Sequence, residues 1–171
     1  MARLLPFQGR LPQVHPSAYL AETAVLIGDV TVHENAVIMF GAVLRADMDR
    51  IVLGAGSNLQ DNVVVHTDTG LPALIGADVS VGHNATVHAC TVEDECLVSM
   101  GSTVLSSSTI GTGSLIAAGA VVLEGTVIPP RSLVAGVPAK VRREIGESDL
   151  TRIRRNAVAY RELAAAYLGE Y

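Results

Sequence analysis

Residues 91–134, divided by six, read TVEDEC LVSMGS TVLSSS TIGTGS LIAAGA VVLEGT VIPPRS LV. The second position of every hexad is Val or Ile: Val92, Val98, Val104, Ile110, Ile116, Val122, Ile128 and Val134. Small and turn-forming residues fill the spaces between. A six-residue apolar period fits neither an amphipathic helix nor a simple alternating strand. It fits a β-solenoid of hexapeptide repeats, in which a short strand and a tight turn lead to a strand on the next face. Three hexads make one coil, and coils stack at about 4.8 Å, the inter-strand spacing. Gly, Asn and Asp supply the positive-φ corners.

The period extends towards the N-terminus with phase shifts. Leu26, Val32, Ile38 and Leu44 form one run. Leu53, Leu59 and Val65 form a second after three extra residues near Asp47–Arg50. Ile75, Val81 and Val87 form a third after four extra residues in Thr67–Ala73, and the step from Val87 to Val92 is one residue short. The repeat ends at Gly136-Val137-Pro138-Ala139-Lys140. This predicts an all-β solenoid over residues 1–140. A C-terminal helix over 141–171 belongs to the same domain, with Ser148 as N-cap. Its stripe of Leu150, Ile153, Ala157, Tyr160, Ala164 and Leu168 packs on the solenoid and caps it.

Composition agrees. The 171 residues are 49% hydrophobic with 23 Val, 16 Gly and no Trp, a mixture that favours strands and turns. Mean hydropathy is +0.39, but no apolar run is long enough for a spanning helix. Net charge is −5 and the pI about 5.4, which gives nucleic-acid binding no electrostatic support. Two cysteines, Cys90 and Cys96, make no disulfide framework and read as small inward or corner fillers. With no signal-peptide pattern at the start, the expected location is cytoplasmic.

Counting hexads onto three faces places the polar residues. On face A, Arg45, His66 and His88 each follow an inward residue, so they stack on consecutive coils and point outward. On face B, Gln60 follows Leu59, and Asp61 and His83 share the next position one coil apart. Asn58, Asn62 and Asn84 read as corner residues, and His15 and His33 as surface polar residues. Two stacked imidazoles can share a metal; His83 joins them only if a second subunit lays its face B on this face A. Such a head-to-tail contact closes into a ring, and a triangular prism suits a threefold one. The contact also sets Arg45 opposite Asp61 and Gln60 beside the metal. Three histidines with one open position are the pattern of catalytic zinc, which brings the pKa of a bound water to about 7.

The segments Arg45-Ala46-Asp47, Asn58-Leu59-Gln60-Asp61-Asn62, Val65-His66 and Gly82-His83-Asn84-Ala85-Thr86-Val87-His88-Ala89-Cys90 resemble the γ-class carbonic anhydrase family. The Gly136–Lys140 exit and the terminal helix resemble its short members. The resemblance implies a left-handed parallel β-helix acting as a homotrimer. It implies His66, His83 and His88 as metal ligands from two subunits, for zinc or alternatively Fe2+ or Co2+. Gln60 would orient the metal-bound hydroxide or CO2. Arg45 and Asp61 would pair between subunits, supported by Asp47 and Asn58, and Tyr160 would approach from the helix. The implied activity is reversible hydration of CO2 to bicarbonate. Family members carry proton-shuttling glutamates on an acidic loop, whereas no Glu lies between Glu34 and Glu93. Proton removal then falls to water, buffer, Asp47, Asp49 or Asp68. The competing readings are a hexapeptide acyltransferase using CoA, with one histidine as general base, and a non-catalytic metal-binding or scaffold relative.

Overall fold

The computed structural model describes residues 2–170. The six-residue period is a β-solenoid in which each short strand pairs in parallel with the strand one coil away. Register follows the apolar positions. Val65 lies between Leu44 and Val87, Val81 between Leu59 and Val98, and Val92 between Ile75 and Ile110. These side chains fill the prism and are almost wholly buried. Among the described residues, face B carries seven parallel strands, from Tyr19–Leu20 through Asn58–Leu59 and Ser80–Val81 to Ser132–Ala135. Faces A and C are one continuous sheet, because strands Val25–Val32 and Val43–Leu53 pass through the corner unbroken. The extra residues Asp47–Arg50 therefore lengthen a strand.

The other two irregularities are local. In the Thr67–Ala73 insertion, Asp68 and Leu71 exchange backbone hydrogen bonds of 3.2 and 3.0 Å and close a tight turn. One coil later, the shortened corner after His88 is taken by Ala89 at a φ of 46°. Asn62 and Asn84 turn stacked corners at φ of 60° and 59°, as expected of residues that tolerate the left-handed region. Asn58 is not a corner residue. It lies in strand Asn58–Leu59, fully buried, with its Nδ2 donating to Ser80 Oγ at 2.8 Å.

The C-terminal segment differs from expectation in three respects. Residues Lys140–Glu144 form a strand, antiparallel to Ser132–Ala135, which covers the last strand of face B. The helix spans Glu147–Glu170, so Ser148 lies inside it. Gly146 caps it instead: its carbonyl accepts from the Asp149 and Leu150 amides, both at 3.1 Å, and its own amide donates to Asp149. The helix also runs along face B and does not close the solenoid end. Leu150 and Ile153 pack with Leu115 and Leu133 of late coils; Ala164 and Tyr160 pack with Tyr19, Val37 and Met39 of early ones. Its 24 residues make about 36 Å, enough to traverse seven rungs spaced at about 4.8 Å. Leu168, at the far end of the stripe, is 67% exposed, because the helix has by then reached the first coil.

Candidate metal centre

Strands Val43–Leu53, Val64–His66 and Thr86–His88 place Arg45, His66 and His88 at one register position on face A. The inward residue before each is buried at 0% exposure, so the next side chain must turn outward. His66 and His88 meet edge to face, with ring centroids 5.0 Å apart and His66 Nδ1 3.0 Å from His88 Nε2. The outer nitrogen of each ring is occupied. His66 Nε2 lies 3.0 Å from Asp47 Oδ1, and His88 Nδ1 lies 3.0 Å from Ser106 Oγ. Asp47 also takes the Arg45 guanidinium. Burial opposes ionisation of Asp47, but the hydrogen bonds from Arg45 and His66 outweigh it and hold its carboxyl below 3.8.

Face B holds the remaining residues. His83 Nδ1 donates to Asp61 Oδ2 at 2.8 Å, and its Nε2 lies 3.3 Å from the Tyr160 hydroxyl. Burial, then the negative charge of Asp61, raises the Tyr160 pKa above 10, so the phenol remains a donor. Gln60 is buried, its Nε2 shared at 3.3 Å between Asn58 Oδ1 and Asn156 Oδ1 of the helix. Within one protomer the predicted residues thus form two groups: Arg45, Asp47, His66 and His88 on face A; Asn58, Gln60, Asp61, His83 and Tyr160 on face B. Arg45 pairs with Asp47 and Asp61 with His83, so Arg45 and Asp61 do not meet within the chain. Among the described residues, no three His, Cys, Asp or Glu side chains of one protomer gather closely enough to hold a metal ion.

The donor chemistry fits a metal. Carboxylates only accept hydrogen bonds, so His66 and His83 each direct an N–H at an acid and leave the other nitrogen as a lone pair. The facing nitrogens of His66 and His88 are 3.0 Å apart, near the ~3.3 Å between two imidazole ligands of one tetrahedral zinc. The acids behind the rings are the outer partners that ligating histidines ordinarily have. Cys90 and Cys96 take no part: burial pushes each thiol up to about 12.

The chain is 38% identical over 165 residues to "Gamma carbonic anhydrase 2, mitochondrial" of Arabidopsis thaliana, covering 93% of this chain and 59% of that protein. It is 52% identical over 145 residues to "Probable carbonic anhydrase" of Methanocaldococcus jannaschii, covering 85% of this chain and 91% of that one. The chain belongs to the γ-class carbonic anhydrase family. The family's neighbourhood is mixed. "Carnitine operon protein CaiE" of Citrobacter koseri is 40% identical, over 92% of this chain and 80% of that protein. A crystal structure described as a hexapeptide transferase family protein from Anaplasma phagocytophilum superposes at a TM-score of 0.93. It is 39% identical and covers 96% of this chain and 98% of that one. No protein-family model matches the sequence.

In this carbonic anhydrase relative, sequence reasoning missed three residues that touch the candidate site. Ser80 and Asn156 hold the Asn58–Gln60 amides, and Ser106 holds His88. Ser106 was open to discovery in the sequence, since it lies two positions beyond inward Val104 on the coil after His88.

Proposed function

We propose that this chain catalyses the reversible hydration of CO2 to bicarbonate in a C3 homotrimer. His66 and His88 of one subunit and His83 of the next would hold a zinc ion, with Fe2+ or Co2+ as substitutes. The observation that carries this reading is the arrangement of the imidazoles: His66 and His88 converge at 3.0 Å, while His83 waits on another face with an acid behind it. When bound, the metal supplies a nucleophile by bringing the ionisation of water close to neutrality, about pH 7. The protein does the rest. Asp47 and Asp61 fix the rings of His66 and His83. Gln60, with its Nε2 committed to Asn58 and Asn156, offers its carbonyl end to orient the reacting species. Across the subunit contact Arg45 would exchange Asp47 for Asp61 or bind both. Tyr160 donates towards the same space from the helix. Proton removal would fall to water, buffer, or Asp47, Asp49 or Asp68.

A CoA-dependent acyltransferase needs one general base, whereas here two imidazoles face each other and a third carries its own acid. No helix among the described residues is long and apolar enough to cross a membrane. The two free, buried thiols suit a reducing cytoplasm. The test is metal analysis and sedimentation of the purified protein, followed by stopped-flow CO2 hydration with zinc, cobalt and ferrous iron. A trimer with one metal per subunit and hydration lost on chelation is expected. A monomer that binds zinc tightly, or a loaded trimer that transfers acetyl groups and hydrates no CO2, would overturn the reading.

A further inference from the structure

The hydrogen bonds behind His88 form a directed chain. Ser106 Oγ lies 2.7 Å from Asp68 Oδ2 and 3.0 Å from His88 Nδ1. A carboxylate accepts and does not donate, and a hydroxyl has a single proton. The Ser106 proton is therefore spent on Asp68, and its oxygen faces His88 as an acceptor. His88 must then carry a proton on Nδ1, which turns its Nε2 lone pair towards that of His66 Nδ1 across a 3.0 Å gap that a shared proton or cation bridges. Asp68 also lies 3.7 Å from His88 Nδ1 itself.

Two departures from the hexad rule bring these residues together. Asp68 sits in the four-residue insertion, at the base of the turn closed by its own backbone bonds to Leu71. Ser106 lies 38 positions later, two coils on. The coil between them has lost a residue after His88, and Ala89 takes a φ of 46° there. The insertion extends one corner and the deletion retracts the next. A side chain from the first coil can thus reach one from the third beside the imidazole of the second.

We propose that Ser106, itself held by Asp68, is the positioning residue for His88: it fixes the tautomer and ring angle that present Nε2 as a metal ligand. The inference rests on the metal-centre reading above and adds a residue to it. Outer-shell partners of this kind are generally worth about 10–100-fold in metal affinity.

The experiment uses the full chain with 15N-labelled histidine, as wild type, Ser106→Ala, Ser106→Thr and Asp68→Ala. Long-range 1H–15N spectra of the metal-free protein report which nitrogen of His88 is protonated, and chelator competition gives zinc affinity. In the wild type, Nδ1 is expected to carry the proton. In Ser106→Ala the His88 signals should shift towards a mixture of tautomers, with zinc affinity about 10–100-fold lower and an unchanged melting temperature. Ser106→Thr, which keeps the hydroxyl, should restore both, and Asp68→Ala should fall between. Wild-type His88 protonated on Nε2, or Ser106→Ala with unaltered tautomer and zinc affinity, would overturn the proposal. A fall in melting temperature equal in the Ala and Thr variants, with no rescue, would overturn it too, since it would mark a packing role. If the wild type binds no zinc, the metal-centre reading fails, and the tautomer spectra still decide the role of Ser106.

Discussion

The proposed division of the metal site between subunits can be tested by mixing two broken chains. His83→Ala leaves face A whole, and His66→Ala leaves face B whole. Neither trimer has an intact site, because every interface in either lacks one imidazole. Unfolded and refolded together in equal amounts, the chains distribute at random, so about three quarters of trimers contain both. A ring of two chains of one kind and one of the other has three head-to-tail contacts. In only one of them does the face A of a His83→Ala chain meet the face B of a His66→Ala chain. The mixture therefore regains about a third of the sites in about three quarters of the trimers, or roughly one quarter of wild-type zinc and hydration. The solenoid should survive both substitutions, since the aliphatic core lies on the other side of each strand. Differently tagged chains, purified in tandem, establish that mixed trimers formed, and zinc per trimer and stopped-flow hydration are then read. Mixed trimers with no zinc above either parent would refute the division of ligands between faces A and B.

Arg45→Ala and Asp61→Ala should each weaken the trimer by about 3–5 kcal/mol if the pair is desolvated between subunits. The double variant should lose less than the sum of the singles, measured as a double-mutant cycle on trimer dissociation; simple additivity would show that the two do not touch. Ile153→Ala, at a fully buried position facing Leu115 and Ile145, should cost about 2–5 kcal/mol in thermal or urea unfolding. It should also reduce hydration, because the loosened helix carries Asn156 and Tyr160. Cys90 and Cys96, with thiols pushed up to about 12, should react with a disulfide reagent at neutral pH only as fast as the protein opens, their thiolate fraction being about 10⁻⁵. Asp149 is held below 3.8 by the hydrogen bond from Arg143. Its folded pKa is depressed, so its stabilisation is present above 3.8 and disappears as pH falls through the lower folded value. Melting temperatures between pH 6 and pH 2 should therefore fall less steeply in Asp149→Asn than in the wild type.

The solenoid was legible because one rule repeats: an inward Val, Ile or Leu every six residues fixes register, and register fixes which side chains share a face. That sufficed to put Arg45, His66 and His88 in one row and Asp61 beside His83. It failed where placement depends on something other than the period. The cap at Gly146 is a backbone arrangement that the adjacent Ser148 obscures. Strand Lys140–Glu144 is exposed at every position and so carries no apolar alternation to announce it. Asn156 lies among arginines on the helix, and its approach to Gln60 depends on the angle at which the helix crosses face B, which no local pattern encodes.

The two irregular corners carry the same lesson into the chemistry. A perfect hexad array gives every outward residue neighbours one coil above and one below, related by a single translation. Such symmetry can stack two imidazoles and supply Ser106 beside His88, and the breaks add the carboxylates Asp47 and Asp68. His66 has Asp47, from the corner lengthened by three residues; His88 has Ser106 and Asp68, brought together by an insertion and a deletion. The ring nitrogen of His66 that turns away from the shared gap meets Asp47, from a break in the repeat; that of His88 meets Ser106, a regular hexad residue whose hydroxyl is held by Asp68 from the insertion. In Gly82 the same demand appears as a close approach: a Cβ there would lie 2.6 Å from the Met100 amide nitrogen, so the coil below presses on the residue preceding His83. Gly82→Ala should therefore push those coils apart and move His83 relative to Asp61. Zinc affinity is then expected to fall while His66 and His88 keep their mutual contact. Equal zinc binding in Gly82→Ala and wild type would show that the position of His83 does not depend on that approach.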